Sequence, residues 1–359
     1  MPPFLIMLAV TLTALTSRPR GALDAILAAF ANHRVVLLGE IHGSVAQHRL
    51  IQRLLRDPRL PAAVSDIAVE FANSRYQPLI DRYVSGETVP ADSLALAWRN
   101  AIVPLAWDAE VYPAFFRAVR EVNQRLPAGR RLRVVALDPP IAWDAVHTAA
   151  DIPRPWGYRD PVWLEILERE VLARGRKALV IAGGLHVIRR DPVTSFGPAA
   201  LDRAGLGDAL AQRYPGQVYV TYPVVGDGTL ARSMRRLRPG TLVEVGGTSL
   251  GARSSHLLLP GNVTVFTMVD GKRVPRVLPE ATYPPIERLI DALVYYGRDT
   301  ASAPRVLSAY RDSTWVAELH RRSSVVQPIF GQDLDPVIDS LARAASRTAP
   351  SHESRAGAL

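Results

Sequence analysis

The sequence predicts an α/β fold: a three-layer sandwich with a mostly parallel central sheet, plus a β-hairpin-containing C-terminal section. Short apolar runs rich in β-branched residues alternate with segments of helical periodicity, which is typical of strands joined by helical crossovers. The runs are hydrophobic at consecutive positions, as expected of parallel strands buried on both faces. With 48% hydrophobic and 21% charged residues among 359, the chain has the composition of a globular protein with a substantial core.

The apolar runs predict the strands in chain order. They cover Arg34–Leu38, Asp66–Phe71, Arg131–Leu137, Lys177–Ala182, Val218–Val225 and Leu289–Tyr296. The helices are predicted from apolar residues spaced three and four apart. They cover Ala22–Asn32, His48–Leu55, Gln77–Val84, Ser93–Trp98, Val111–Leu126, Pro161–Ala173 and Asp208–Arg213. Asp160 precedes a proline at the first helical position, so we expect it to cap that helix.

The section Gly240–Pro279 differs from the rest because it contains Gly-rich turns. A hairpin is predicted there, with strands Val263–Val269 and Val274–Leu278 around Asp270-Gly271. A terminal helical piece is expected over Ala303–Arg322. The predicted organisation is a signal peptide over 1–20, an α/β domain over 21–300, a helical extension over 301–345 and a disordered tail over 346–359.

The N-terminal stretch Pro3–Thr16 is apolar and about as long as the hydrophobic region of a signal peptide. It is too short to span a bilayer comfortably, and no other segment is long and apolar enough to do so. We therefore expect export to the periplasm or the exterior and no stable membrane span in the mature chain. The alternative is a buried N-terminal helix.

The charge balance restricts the classes of partner. The net charge of +9 comes almost entirely from arginine, since lysine occurs only at Lys177 and Lys272. The densest basic cluster, Arg232–Arg238, is short and lacks interleaved aromatic residues, so we expect no nucleic-acid partner. Cysteine is absent, which excludes disulfides and thiolate metal sites. Any metal would be held by His, Asp and Glu, or by a cofactor.

Two segments, VVLLGEIHG (Val35–Gly43) and ALVIAGGLH (Ala178–His186), end in a Gly-x-x-His unit. Polar side chains stand at four predicted strand ends. They are Glu40 with His42, then Glu70, Asp138 and His186. Parallel strands bring their carboxyl ends to one edge of the sheet, where ligands bind. A buried carboxylate is costly unless it is paired, so these groups predict one shared site.

Further residues around these strand ends are candidates for ligand binding. They are Gly39, Gly43, Gly183, Gly184, His48, Asp138, Arg159 and Asp160. The glycines allow sharp turns and close ligand approach, or serve only strand-to-helix turns. His48 is either a site residue or a surface residue at a helix start. The loop at Arg159 is expected to bind an anion or close over the site, and Trp143, Trp156 and Tyr158 line a pocket there or pack in the core.

This combination of residues favours the activation of water. A carboxylate beside a histidine raises the imidazole pKa and orients the ring as a general base. Equally, Glu40, His42, Glu70 and His186 form a set that would hold a divalent metal and lower the pKa of bound water. Since cysteine and a Gly-x-Ser-x-Gly elbow are both absent, we expect no covalent nucleophile of the usual hydrolase kind.

Several motifs together resemble the superfamily of erythromycin esterases, ChaN-like haem-binding proteins and Tiki-type metalloproteases. They are LGEIHG (Leu38–Gly43), HRLI (His48–Ile51), VEF (Val69–Phe71), Gln77–Tyr83 with Gly86, a Trp-containing region at Trp98 and Trp107, VVALDPP (Val134–Pro140) and IAGGLH (Ile181–His186). The resemblance covers about residues 30–300 and implies the α/β fold of that superfamily.

The branches imply different activities. Resemblance to the esterases implies water activation by His42 and Glu40 with Glu70, and resemblance to Tiki-type proteases implies a metal on His42, His186 and Glu70. Resemblance to ChaN-like proteins implies haem binding, for which Tyr76 and Tyr83 are candidates. We expect a hydrolase for an ester or amide bond in a small molecule or peptide, with cofactor choice open between a divalent metal, haem and neither. The alternatives are a non-catalytic haem or iron-complex binding protein and an inert envelope scaffold.

Overall fold

A computed structural model describes residues 19–153, 156, 159–189, 205–258, 264–269, 272–277 and 283–347. All but the last two residues of the predicted signal peptide lie outside this part of the chain. Tyr158, the turn Asp270-Gly271 and the chain beyond Arg347 also lie outside it. No helix among the described residues has the length and apolar character needed to cross a membrane.

The described strands and helices follow the predicted alternation. The strands are β1 Arg20–Gly21, β2 Val35–Glu40, β3 Asp66–Asn73, β4 Arg133–Asp138, β5 Ala178–Gly183, β6 Val218–Val224, β7 Thr241–Glu244, β8 Thr264–Val269, β9 Lys272–Val277 and β10 Ala292–Tyr295. The helices are α1 Ala22–Ala29, α2 Val45–Arg56, α3 Leu60–Ala63, α4 Gln77–Ser85, α5 Ala91–Arg99, α6 Val111–Asn123, α7 Asp160–Glu170, α8 Gly184–Val187, α9 Leu206–Arg213, α10 Thr229–Met234, α11 Ile286–Leu289, α12 Ser313–Phe330 and α13 Asp335–Arg347.

The central sheet has eight strands in the order β1-β7-β10-β6-β2-β5-β3-β4. The six strands from β10 to β4 are mutually parallel, whereas β7 pairs antiparallel with β10 and with β1. The predicted three-layer α/β fold with a mostly parallel sheet is confirmed. Strands β8 and β9 pair antiparallel, as predicted, in a sheet of their own, and β9 begins at Lys272, two residues earlier than predicted.

Both faces of the sheet are covered by helices. In β2, Val36 and Leu38 belong to the core under α1, α2, α4, α5 and α6, and Val35 and Leu37 to the core under α7, α9 and α10. This alternation explains why the strand is apolar at consecutive positions. The layers leave the carboxyl edge of the parallel strands as the place where polar side chains collect.

The structure differs from the predicted elements mainly at their ends. Helix α2 begins at Val45, three residues earlier than predicted, because the Ser44 side chain caps it by accepting from the Gln47 backbone N–H at 3.4 Å. Strand β10 is shorter than predicted because α11 occupies the residues before it. The edge strand β1 and its neighbour β7 were not predicted, since both are short and have little sequence pattern of their own.

The C-terminal helices form a third core with the α/β domain. Leu319 of α12 and Ile338 of α13 pack in one cluster with Ile102 and Trp143. The buried Arg322 guanidinium lies 4.7 Å from the ring of Trp143 and 4.9 Å from that of Trp315. Helix α13 extends to Arg347, so the first two residues of the predicted disordered tail are helical.

We predict that Gly207→Ala lowers the free energy of unfolding by about 1–3 kcal/mol, because an added methyl group overfills a packed contact. A Cβ on Gly207 would lie 1.8 Å from the carbonyl oxygen of Val187, the residue after His186. Chemical denaturation measures the loss. In the control variant Gly129→Ala the new methyl group meets nothing within 4 Å. Equal stability of the two variants would contradict the prediction.

Candidate functional site

The carboxyl ends of four neighbouring strands meet at one edge of the sheet. Strands β2, β5, β3 and β4 are consecutive, with Glu40 beside Gly183 and Asn73 beside Asp138 in the register. Ligand atoms of Glu40, His42 and Glu70 lie within 4.8 Å of one another. The structure thus brings together the side chains that the sequence places at these strand ends.

Glu40 is a buried carboxylate held between two histidines. Its Oε1 is 2.7 Å from Nε2 of His48, and its Oε2 is 3.3 Å from Nδ1 of His42. Burial raises the pKa of Glu40, but the two imidazole contacts more than offset this and bring the pKa to about 2. Glu40 is therefore ionised near neutrality, and each of its oxygens accepts a hydrogen bond from an N–H group of one imidazole ring.

His42 is the exposed member of this group, with 47% of its side chain accessible. Burial of the ring lowers its pKa, yet the hydrogen bond to Glu40 and the negative charge of Glu70 raise the pKa above its usual value. Because Nδ1 is directed to Glu40, Nε2 is the nitrogen left for an incoming molecule. The ring packs edge-on against Trp107 at 4.5 Å between centroids.

The loop after β2 is fixed by side chains that sequence reasoning did not single out. Gln47 donates to the Gly39 carbonyl at 2.5 Å and accepts from the Ile41 N–H at 2.7 Å. Gly43 adopts a positive φ of 71° and donates its N–H to the Tyr112 hydroxyl at 3.0 Å. The polar residue on the buried face of α2 is a signal that could have identified Gln47, whereas Tyr112 carries no such signal.

Glu70 is fully buried and paired with an arginine. Its Oε1 accepts from Nη1 of Arg159 at 2.8 Å, and its Oε2 accepts from the Gly183 N–H at 2.6 Å. Arg159 reaches this position from a backbone with φ of 23° and ψ of −43°, unusual for a residue with a side chain. The predicted anion-binding loop therefore supplies a guanidinium to the centre of the site.

His186 lies on the far side of Arg159. Its Nδ1 is 2.9 Å from the Asp160 carboxylate, and its Nε2 is 3.3 Å from Nη2 of Arg159. A guanidinium only donates, so Nε2 accepts and the proton sits on Nδ1. Asp160 was predicted to cap α7; instead Arg159 precedes the helix, and the Asp160 carboxylate also accepts from the Leu206 N–H at 2.8 Å.

Asp138 is buried behind Arg159. Its Oδ2 accepts from the Ile102 N–H at 2.6 Å, whereas its Oδ1 makes no hydrogen bond with the described residues and is 3.8 Å from Nη1 of Arg159. Burial raises the pKa of Asp138 to about 7, against the opposing charge of Arg159. This carboxyl group changes its protonation state near neutral pH.

The four predicted glycines have different surroundings. A Cβ on Gly183 would lie 3.1 Å from Cε1 of His42 and 3.3 Å from Oε2 of Glu70, so this glycine leaves space at the centre of the site. At Gly39 and Gly184 the nearest side chains are Pro223 and Tyr222, each 2.9 Å from the added Cβ. Packing within the chain accounts for these two.

The predicted metal set is only partly assembled. Glu40, His42 and Glu70 converge, but both ring nitrogens of His186 are engaged by Asp160 and Arg159. Each oxygen of the two glutamates already faces a hydrogen-bonding partner, and the Arg159 guanidinium lies 2.8 Å from Glu70. A divalent ion would find three of the four predicted ligands here and would compete with the hydrogen bonds of both carboxylates.

We predict that Asp138→Asn becomes more stable relative to the parent protein as pH rises from about 4 to 7, by about 1 kcal/mol or more. The pKa of Asp138 is about 7 in the folded protein, above its unfolded value. The contribution of the protonated Asp138 carboxyl group to the free energy of unfolding is therefore fully present below the unfolded pKa. It is lost as pH rises through the folded pKa. Asparagine keeps an acceptor for Ile102 and has no proton to lose.

Unfolding free energies measured by denaturant titration at several pH values test this expectation. The exposed Asp144, changed to Asn, is the control. Parallel pH profiles for Asp138→Asn and the parent protein would contradict it.

Residues 26–143, about a third of the chain, match the family model described as haem-binding uptake, Tiki superfamily, ChaN. No protein with a curated description matches the chain significantly. The solved structure of a mutant of the erythromycin esterase EreC, in its open conformation, has a TM-score of 0.50 at 11% identity, covering 80% of this chain and 98% of that one.

Two further solved structures have lower TM-scores. A succinoglycan biosynthesis protein has a TM-score of 0.49 at 11% identity, over 78% of this chain and 91% of that one. A Bacillus cereus protein has 0.42 at 12% identity, over 77% and 91%. The esterase similarity concerns the fold alone. The predicted resemblance is confirmed: a ChaN-type family model of the Tiki superfamily matches residues 26–143, within an α/β fold similar to that of an erythromycin esterase.

Proposed function

We propose that this protein hydrolyses an ester or amide bond by activating water with His42. The observation that carries the proposal is the Glu40 carboxylate, which is buried and ionised and is held 3.3 Å from Nδ1 of His42. A carboxylate in that position keeps the proton on Nδ1, so Nε2 acts as the base toward water. No metal is required for this step.

Arg159 is the group suited to stabilise charge that develops on the substrate. Attack of water on a carbonyl places a negative charge on its oxygen, and a preorganised cationic donor lowers the energy of that state. The guanidinium is held by Glu70 at 2.8 Å and is 14% exposed. His186, which Asp160 orients, contacts the other side of the guanidinium. In this scheme His42 and Arg159 contact the reacting groups, and Glu40 acts through His42. Glu70 and His186 position the Arg159 guanidinium.

The ligand class follows from the same charges. Glu70 is paired with Arg159, and Glu40 lies buried behind His42 and His48, so the guanidinium is the charged group suited to meet the carbonyl oxygen of a neutral or anionic acyl group. The proposal is a small molecule or peptide with an accessible carbonyl. The predicted roles of His48 and Asp138 become supporting ones: His48 holds Glu40, and Asp138 lies behind Arg159.

We predict that His42→Ala lowers kcat/KM by about 100- to 10,000-fold, the usual contribution of a general base. The thermal midpoint stays close to that of the parent because the ring is half exposed, so water entering its place donates to Oε2 of Glu40 instead. A panel of p-nitrophenyl esters and peptidyl p-nitroanilides measures turnover. His147→Ala, at an exposed histidine away from this edge, is the matched control.

Dialysis against EDTA belongs to the same experiment. Turnover is expected to survive, because the carboxylate oxygens are satisfied within the chain. Loss of turnover that zinc or manganese restores would contradict the metal-free mechanism. Unchanged turnover of His42→Ala, or no turnover of any substrate by the parent protein, would contradict the hydrolase proposal.

Haem binding is the second candidate, supported by the description of the matching family and by a cavity. The cavity has a volume of about 780 Å³ and is lined by Tyr76, His147, Trp143 and Trp315, with Arg75 beside them. Its aromatic walls suit a flat ring, its Tyr and His suit iron, and its arginine suits a propionate. Tyr83, the other candidate, instead packs beneath Arg120 at 4.8 Å.

We predict for this candidate a saturable, shifted Soret band on titration with hemin. The double variant Tyr76→Phe with His147→Ala loses the band, whereas Tyr83→Phe retains it. Visible absorption spectroscopy is the measurement. An unshifted spectrum with the parent protein would remove haem binding from consideration.

We also propose export, on the basis of the apolar N-terminal stretch, and the division into an α/β domain over 21–300 followed by a helical extension. Sequencing the N-terminus of the secreted protein tests the first point. Recovery of the intact leader on cytoplasmic protein would contradict it.

A further inference from the structure

A second cavity lies on the other side of Glu40 from the exposed ring of His42. It has a volume of about 660 Å³ and lies between α2, α6 and the turn after β10. Val45 and Ala46 of α2 and Val111 and Ala114 of α6 provide apolar lining. A volume of this size is typical of a small-molecule site.

A deeply buried polar residue at this cavity has an unsatisfied ring nitrogen. His48 is 2% exposed and lines the cavity. Among the described residues, Nδ1 of His48 has no hydrogen-bond partner. Buried polar atoms are nearly always satisfied, so an unpartnered nitrogen at an apolar cavity indicates that a ligand completes it.

The unpartnered nitrogen of His48 defines what that ligand must offer. Nε2 of His48 lies 2.7 Å from Glu40, so Nδ1 is the ring nitrogen left without a partner among the described residues. A ligand hydroxyl group both donates and accepts, so it satisfies Nδ1 whether or not that nitrogen carries a proton.

The rim of the cavity is basic. Arg49, Arg53 and Arg298 line it and are exposed, and none of them has an ion pair with another described residue. The acidic residue at the rim is Asp299, whose carboxylate accepts from the Ala301 N–H at 2.9 Å. The excess of guanidinium groups favours an anionic head group.

We propose that this cavity binds an amphiphilic hydroxycarboxylate, with its chain along Val45 and Ala114, its hydroxyl at His48 and its carboxylate at Arg49 and Arg53. His48 connects the ligand with the Glu40–His42 pair, because its other ring nitrogen is hydrogen-bonded to Glu40. This link rests on the proposed function wherever it concerns turnover. The binding itself does not depend on hydrolysis.

Isothermal titration calorimetry with three probes below their micellar concentrations tests the binding. We expect 3-hydroxydecanoate to bind saturably with one site, decanoate to bind several-fold more weakly, and decylamine not to bind. Equal binding of decanoate and decylamine would show only apolar partition and would overturn the proposal. Absence of 3-hydroxydecanoate binding would overturn it as well.

Variants locate the site. Arg49→Gln combined with Arg53→Gln is expected to weaken 3-hydroxydecanoate binding at least tenfold while leaving the fold intact, because both side chains are exposed. Ala114→Trp fills the cavity and abolishes binding. Arg130→Gln, at an exposed arginine outside the cavity, leaves binding unchanged. Equal affinity in all three variants would place the ligand elsewhere and overturn the proposal.

Histidine NMR separates this proposal from the hydrolase proposal. The protein has eight histidines, so ¹⁵N-histidine labelling resolves them individually. Addition of 3-hydroxydecanoate is expected to shift the His48 nitrogens most and those of His42 next. Such shifts in a protein with no measurable turnover would support the cavity and remove the hydrolase. Shifts confined to other histidines would overturn the cavity assignment.

Discussion

The burial of an ionised Glu40 is the constraint on which the site depends. A lone carboxylate at the end of a central strand would cost several kcal/mol, and only close donors on both oxygens make it tolerable. One donor comes from the loop at His42 and the other from α2 at His48. The chain must therefore leave β2 and return within eight residues, which explains the Ser44 cap and the two hydrogen bonds of Gln47.

Glu70, on β3, is a second buried carboxylate two strands across the sheet from Glu40, and its charge is balanced in a different way. Its donors are a backbone N–H from the neighbouring strand and the guanidinium of Arg159. That guanidinium is fixed in turn by His186, which Asp160 orients. A network of charges and hydrogen bonds thus connects the ends of β3 and β5 with the start of α7. Removing one member leaves a buried charge for the others to bear.

Much of the fold and the membership of the site could be predicted from sequence for one reason. Buried parallel strands are continuous apolar runs, and their polar ends must share an edge, so Glu40, Glu70, Asp138 and His186 could be grouped without knowing the strand order. The place of His48 could not, because it depends on α2 beginning at Val45. The orientation of Arg159 could not either, since it depends on a positive φ that the residue type disfavours.

The C-terminal helices were predicted as an extension, but their contacts with the region around the site are seen only in the folded structure. Arg322 donates to the Asn100 side chain at 2.9 Å and lies between two indole rings. Two residues after Asn100, the N–H of Ile102 holds Asp138. No periodicity in the sequence indicates this connection, because each contact joins residues distant in the chain.

Because the positive charge beside Glu70 belongs to Arg159, it does not depend on an ion taken from the surroundings. In a site whose positive charge is an ion, the chain exists in loaded and empty forms, and its surroundings decide the proportion. Here the counter-charge to Glu70 is covalently attached and is synthesised with the chain. This pair is complete as soon as the polypeptide has folded, in metal-rich and metal-poor surroundings alike.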